Sequence, residues 1–242
     1  MVIILKYLIC NLKAHKTYSE IIEYKNNLLN LSCNKTELIL APTSIYLPMF
    51  KELQFPLCIQ DIPLNEELNL TGDYSLKQLK SLDIKYCIIG HHERRKYYKE
   101  NEFEIITKIK AALNNKIKVI YCIGESKEEL LRKVEYQVLE RQIARILNKI
   151  PTNEFENIII AYEPTYMIGG KSNLDFKDIE KKIYFIKNLI DNYYHGSIKV
   201  IYGGNINSEN IKSFNKIKCL DGFIIGNACL DITNLNNILE NM

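Results

Sequence analysis

The feature that most constrains this chain is a repetition. Short apolar runs rich in β-branched residues occur eight times, at Val2 to Cys10, Glu37 to Ala41, Pro56 to Gln60, Tyr86 to Gly90, Lys118 to Gly124, Ile158 to Glu163, Lys199 to Gly204 and Asp221 to Gly226. Runs without polar alternation suit strands covered on both faces. Between them lie segments with helical patterns: Tyr18 to Leu31, Ile45 to Leu53, Ser75 to Leu82, Phe103 to Asn114, Lys127 to Lys149, Phe176 to Tyr194, Ser208 to Phe214 and Ile232 to Leu239. In the fifth, Leu130, Leu131, Val134, Val138, Leu139, Ile143, Ile146 and Leu147 recur at three and four, which makes one apolar face. Strand alternating with helix predicts an α/β fold with parallel strands and right-handed crossovers, so that all strand C-termini share one side. Eight units in 242 residues, at roughly 30 residues each, fit a closed (β/α)8 barrel of about 250 residues. The alternative is an open doubly wound sheet, which more often carries a G-x-G-x-x-G turn after its first strand. Cys10-Asn11-Leu12-Lys13 offers none. With no linker or low-complexity tract, residues 1–242 read as a single domain.

Composition narrows the partners. A net charge of +3 is too mild and too dispersed for a nucleic-acid surface, although it favours a small anionic substrate. The N-terminal apolar run is short, interrupted by Lys6, and lacks the basic front and cleavage site of a secretory signal; no membrane span is expected. Seven cysteines form an odd set without a C-x-x-C pair, mostly inside apolar runs, which predicts buried free thiols and a reducing compartment. The expected location is the cytoplasm, with an organelle after loss of a targeting segment left open.

In such a barrel the strand C-termini gather residues scattered in sequence. Asn11 and Lys13 follow the first strand, His91, His92 and Glu93 the fourth; Glu163 ends the sixth, Gly203-Gly204-Asn205 the seventh and Gly226-Asn227 the eighth. Glu163, His91 and Lys13 supply a general base, an electrophile for a carbonyl and a cation for the resulting oxyanion. A helix starting near Glu93 would donate an N–H to one ring nitrogen of His91, favouring a neutral imidazole whose other N–H faces substrate. Glu93-Arg94-Arg95 also reads as a solvated charge run. Adjacent histidines lack the i, i+4 spacing by which a helix presents two metal ligands, so no metal is expected. Glycines after the last two strands let the backbone approach an anion, at the recurrent phosphate position of this barrel. The long connection from Gln60 to Asp73 carries Ile62, Leu64, Leu68 and Leu70 and predicts a subunit interface.

Six motifs, in order along the whole chain, resemble those of the triosephosphate isomerase family. They are Asn11-Leu12-Lys13, Ile89-Gly90-His91-His92-Glu93-Arg94-Arg95, Tyr121-Cys122-Ile123-Gly124-Glu125, Ala161-Tyr162-Glu163-Pro164, Tyr202-Gly203-Gly204 and Asp221-Gly222-Phe223-Ile224-Ile225-Gly226. The resemblance implies interconversion of dihydroxyacetone phosphate and glyceraldehyde 3-phosphate through an enediolate, without a cofactor. By the same resemblance Glu163 moves the carbon-bound proton, His91 polarises the carbonyl, Lys13 stabilises negative charge and Asn11 orients the substrate. It further implies support of the site by Glu93, phosphate contacts at Gly169, Asn205, Gly226 and Asn227, and a homodimer through loop 60–73, whose Thr71-Gly72 tip enters the partner. The sequence departs from the family pattern at Leu12 (an aromatic), His92 (Ser), Asn205 (Ser), Asn227 (Gly) and Tyr166 (Trp), and its lid over 164–171 is one residue short. These changes around phosphate and lid motivate a second reading, a relative that binds a phosphorylated ligand for regulation or assembly without turning it over.

Overall fold

A computed structural model describes residues 6–33, 35–65, 70–168, 175–194 and 198–242. The start of the first apolar run, Val2 to Leu5, lies outside them, as does Gly169 of the expected phosphate contacts. Eight parallel strands follow one another: β1 (Lys6–Asn11), β2 (Thr36–Ala41), β3 (Cys58–Ile59), β4 (Tyr86–Ile89), β5 (Lys118–Ile123), β6 (Ile158–Tyr162), β7 (Lys199–Tyr202) and β8 (Gly222–Ile225). Their order is β2-β1-β8-β7-β6-β5-β4-β3. Between the end strands, Leu40 bridges Leu57 in parallel and its N–H donates to the Pro56 carbonyl at 3.0 Å, so the sheet curls into a nearly closed barrel. The α/β barrel expected from the alternation is the fold observed.

Two packed regions hold it together. The side chains of Ile9, Ile39, Ala41, Tyr86, Ile88, Ile120, Cys122, Ile159, Ala161, Ile201 and Ile224 fill the interior. The alternate residues of the same strands pack outward against the helices, Leu8, Cys10, Ile160 and Tyr162 among them. This two-residue alternation follows from the pleat. It also positions the site, because one step beyond the interior residues lie Asn11 after Ile9, Glu163 after Ala161, Gly203 after Ile201 and Gly226 after Ile224.

The helical shell is α1 (Tyr18–Leu28), α2 (Leu76–Ser81), α3 (His92–Tyr97), α4 (Glu102–Asn114), α5 (Lys127–Leu131), α6 (Glu135–Leu147), α7 (Phe176–Tyr194), α8 (Ile211–Phe214) and α9 (Ile232–Glu240). Local chemistry sets several starts. Ser75, Asn101 and Ser126 each form a reciprocal capping box with Gln78, Glu104 and Glu129. The segment expected as one helix from Lys127 to Lys149 is two, separated where Lys133 takes a positive φ of 58°. Leu131 is 71% exposed, so the apolar face is not continuous; Val138, Leu139, Ile143 and Ile146 are its buried part in α6, with Leu147 packed at its edge. The stretch expected as a helix from Ile45 to Leu53 is a 3-10 helix, Ser44–Phe50, which contains Pro48. All seven cysteines are free, five of them buried. Among the described residues no helix is long and apolar enough to cross a membrane.

Candidate active site

Lys13, which follows β1, has a left-handed backbone with φ 49°, unusual for a residue with a side chain. Neighbours fix it. Its N–H donates to Asn11 Oδ1 at 3.1 Å, and its carbonyl accepts from Thr43 Oγ1 at 2.6 Å and Gln60 Nε2 at 3.0 Å. The side chain then reaches Glu93, with Nζ 2.7 Å from Oε1. On Glu93, burial opposes ionisation, but the hydrogen bond from Lys13 and the nearby charges outweigh it and lower the carboxyl pKa.

His91 caps α3. The Glu93 N–H points at its Nδ1 from 3.4 Å, which is long for a hydrogen bond but well aimed. A neutral ring that accepts at Nδ1 carries its proton on Nε2. Burial lowers the His91 pKa, against the raising pull of Glu163, and so favours the neutral form. Its Nε2 lies 3.5 Å from Oε2 of Glu163.

Glu163 is buried at 4% exposure, one residue beyond the end of β6, and its N–H donates to the Ile123 carbonyl at 2.7 Å. A Cβ on Gly124 would stand 2.1 Å from the Glu163 carbonyl oxygen, so glycine is required where the two strand ends meet. Cys122 Sγ approaches Oε1 at 3.7 Å, whereas Oε2 has no hydrogen-bond partner.

These groups line one cavity of about 310 Å³ at the C-terminal mouth of the barrel. Asn11, Lys13, His91, Glu93, Glu163, Asn205, Gly226 and Asn227 all border it, together with His92. Gly226 sits beside Lys13, since a Cβ there would lie 3.5 Å from Cε of the lysine. The helix expected from Ser208 to Phe214 starts at Ile211, whereas a 3-10 turn, Asn227–Cys229, directly follows Gly226. A helical N-terminus thus directly follows the strand-end glycine on the β8 side. Thr71 is exposed in the long loop and does not border the cavity. Gly169 and the rest of the lid, 170–171, lie outside the described residues.

Sequence reasoning missed several supports. Glu93-Arg94-Arg95 is not a solvated run: Arg94 pairs with Asp61 at 2.7 Å, and Arg95 bonds the Gly90 carbonyl at 2.7 Å and Glu102 at 2.5 Å. Beneath the start of the lid, Glu125 is fully buried and its Oε1 accepts from Tyr162, Tyr166 and Lys182, each at 3.0 Å. Burial and the Glu125 charge push the Tyr166 hydroxyl up to about 12. The signal for this cluster was a charge, Lys182, inside the apolar face of α7.

An eight-stranded barrel with a carboxylate, a neutral imidazole and a lysine around a glycine-edged mouth defines a class, that of barrel enzymes equipped for proton transfer next to a carbonyl. The sequence model of the family described as Triosephosphate isomerase matches residues 6–242. Relatives named triosephosphate isomerase include that of Blochmanniella floridana, 35% identical over 231 residues, covering 89% of this chain and 88% of the relative. That of Ureaplasma parvum is 34% identical, covering 98% and 99%, and that of Thermodesulfovibrio yellowstonii 33%, covering 93% and 95%. This chain belongs to the triosephosphate isomerase family.

Proposed function

We propose that the protein is a triose-phosphate isomerase in which Glu163 is the base, His91 the electrophile and Lys13 the cation. The observation that carries this reading is the pairing of His91 and Glu163 across the mouth, with His91 capped so that its Nε2 holds the proton. Dihydroxyacetone phosphate would lie with its reacting carbons between them. The Glu163 carboxylate removes a proton from the carbon next to the carbonyl, while His91 Nε2–H donates to the carbonyl oxygen as charge develops. The Lys13 ammonium adds positive potential, and Glu93 and Asn11 hold it in place. His91 then takes the proton of the hydroxyl that becomes the new carbonyl, and return of the proton on Glu163 to the neighbouring carbon gives glyceraldehyde 3-phosphate with both side chains restored, so no cofactor is consumed. Asn205, Gly226 and Asn227, which line the same cavity, take the phosphate, and the family resemblance adds Gly169 to them.

Quaternary structure follows the same reading: a homodimer through loop 60–73, with Thr71 at its tip, in the cytoplasm. Not all of the apolar loop is available for this. Ile62 is buried in its own chain and Leu64 is half-buried, Leu68 lies outside the described residues, and Leu70 is 50% exposed. A second cavity of about 450 Å³, lined by Ser44, Gln60, Tyr74, Arg94 and Tyr98, supports an interface on this side. A coupled assay of triose phosphate isomerisation tests the activity. Binding of a phosphorylated ligand with no isomerisation at high enzyme concentration would instead select the non-catalytic relative.

A further inference from the structure

Glu163 Oε2 and His92 Nδ1 are buried atoms without hydrogen-bond partners, and both face the mouth of the barrel. They lie 3.8 Å apart, and His91 Nε2 is 3.5 Å from the same Oε2. The ligand atoms of His91, His92 and Glu163 all fall within 4.8 Å of one another, and the two imidazole rings are 4.3 Å apart, tilted by 47°. We propose that these three side chains form a binding site for a zinc-class divalent cation, and that its occupation switches the enzyme off.

Two imidazoles and a carboxylate are a zinc donor set, with a fourth position open to water. Bonds of about 2.0–2.1 Å in a tetrahedron put donor atoms about 3.3 Å apart. Both histidine–carboxylate distances, 3.5 and 3.8 Å, are near that spacing, and the two histidine donors lie within 4.8 Å of each other, so side-chain rotations can close the set around an ion. The spacing argument made from sequence tested two histidines one helical turn apart. Here the adjacent pair is completed by a carboxylate from another strand, and only the fold brings it close. His91 would bind through Nε2, moving its proton to Nδ1 and giving up the Glu93 N–H. Glu93 Oε2, 3.6 Å from Nδ1, is placed to accept that proton, the carboxylate–histidine arrangement that supports metal ligands. The cation thereby occupies both the base and the carbonyl electrophile and excludes substrate.

Calorimetric titration with zinc chloride alone tests binding without substrate, so this site and the isomerase reading fail separately. One zinc per chain is expected for the wild type, with affinity falling about tenfold or more in His92→Ser and in Glu163→Gln. Cobalt(II) should give the visible absorption of a tetrahedral N/O site. In the coupled assay zinc should compete with substrate and be reversed by a chelator; with each variant scaled to its own metal-free rate, His92→Ser should need about tenfold more zinc. Should His92→Ser misfold by circular dichroism, His92→Gln replaces it. Absence of stoichiometric binding, equal affinity in the folded His92 variant, or a cobalt–thiolate charge-transfer band would overturn the proposal.

Discussion

A Cβ on Gly203 would lie 2.6 Å from Cγ of Glu163 and 2.9 Å from its Oε1, so the end of β7 is cut back to backbone to admit the carboxylate from β6. The same Cβ would meet Ile224 Cγ2 at 2.6 Å, so Gly203→Ala should push the proposed base and this interior isoleucine aside together. A displacement near 1 Å costs about 10²-fold in such sites. We expect kcat/KM to fall by that order, with a lower Tm from the contact with Ile224, measured by the coupled assay and thermal unfolding; unchanged kinetics would contradict the geometry.

Glu163→Gln keeps the shape of the side chain and removes its basicity. The expected loss in kcat is about 10²- to 10⁴-fold, the usual contribution of a general base. A variant that retained full activity would exclude Glu163 from proton transfer.

His91 is expected to stay neutral as pH falls below the ordinary histidine value of about 6.5. Because its folded-state pKa is lowered, the stability tied to its neutrality is complete above the unfolded value and is lost as pH falls toward the folded one. Nitrogen NMR of the ring should show the neutral form with Nε2 protonated at pH 7. Urea midpoints between pH 7.5 and 5.5 should drop less in His91→Gln than in the wild type.

Lys182 has no exposed side-chain surface and pairs with Asp178 at 2.8 Å and with Glu125 at 3.0 Å. Burial depresses its pKa, yet the hydrogen bond to Asp178 and the Glu125 charge prevail and raise it. Lys182→Met would leave Glu125 as a buried carboxylate held by tyrosines alone, at a cost of about 3–5 kcal/mol. Urea denaturation measures this, and adding Glu125→Gln should restore part of the loss. Additive effects would show that the pair is not coupled.

Leu70 is the described apolar residue that loop 60–73 leaves exposed, beside exposed Thr71 and Gly72. Sedimentation should find a dimer for the wild type and a weaker one for Leu70→Asp. A wild-type monomer at working concentration would remove the loop from any interface.

Much of the barrel was legible because β-branched runs and helical stripes have different periods, and Phe176–Tyr194 is a helix with the bounds its pattern predicted. The break at Lys133 was not legible, since Leu130, Leu131 and Val134 keep helical spacing across a residue whose backbone is left-handed. Strand-end residues were found from topology alone, as with Asn11 and Glu163. The residues that brace them were not, because Thr43 and Gln60 meet the Lys13 carbonyl from the loops that follow β2 and β3, and nothing in their own neighbourhoods marks that contact. Arg94 and Arg95 were ambiguous for the same reason: a charge run looks identical whether water or Asp61 and Glu102 receive it.

The pleat that turns Ile159 and Ala161 inward also aims Glu163 into the mouth, so the proposed base stands on the uppermost layer of the interior packing. Its aim is inherited from hydrocarbon below it. Enlarging Ala161 or hollowing out Ile159 would register in turnover as well as in melting, and this barrel has few ways to change its filling without retuning its chemistry.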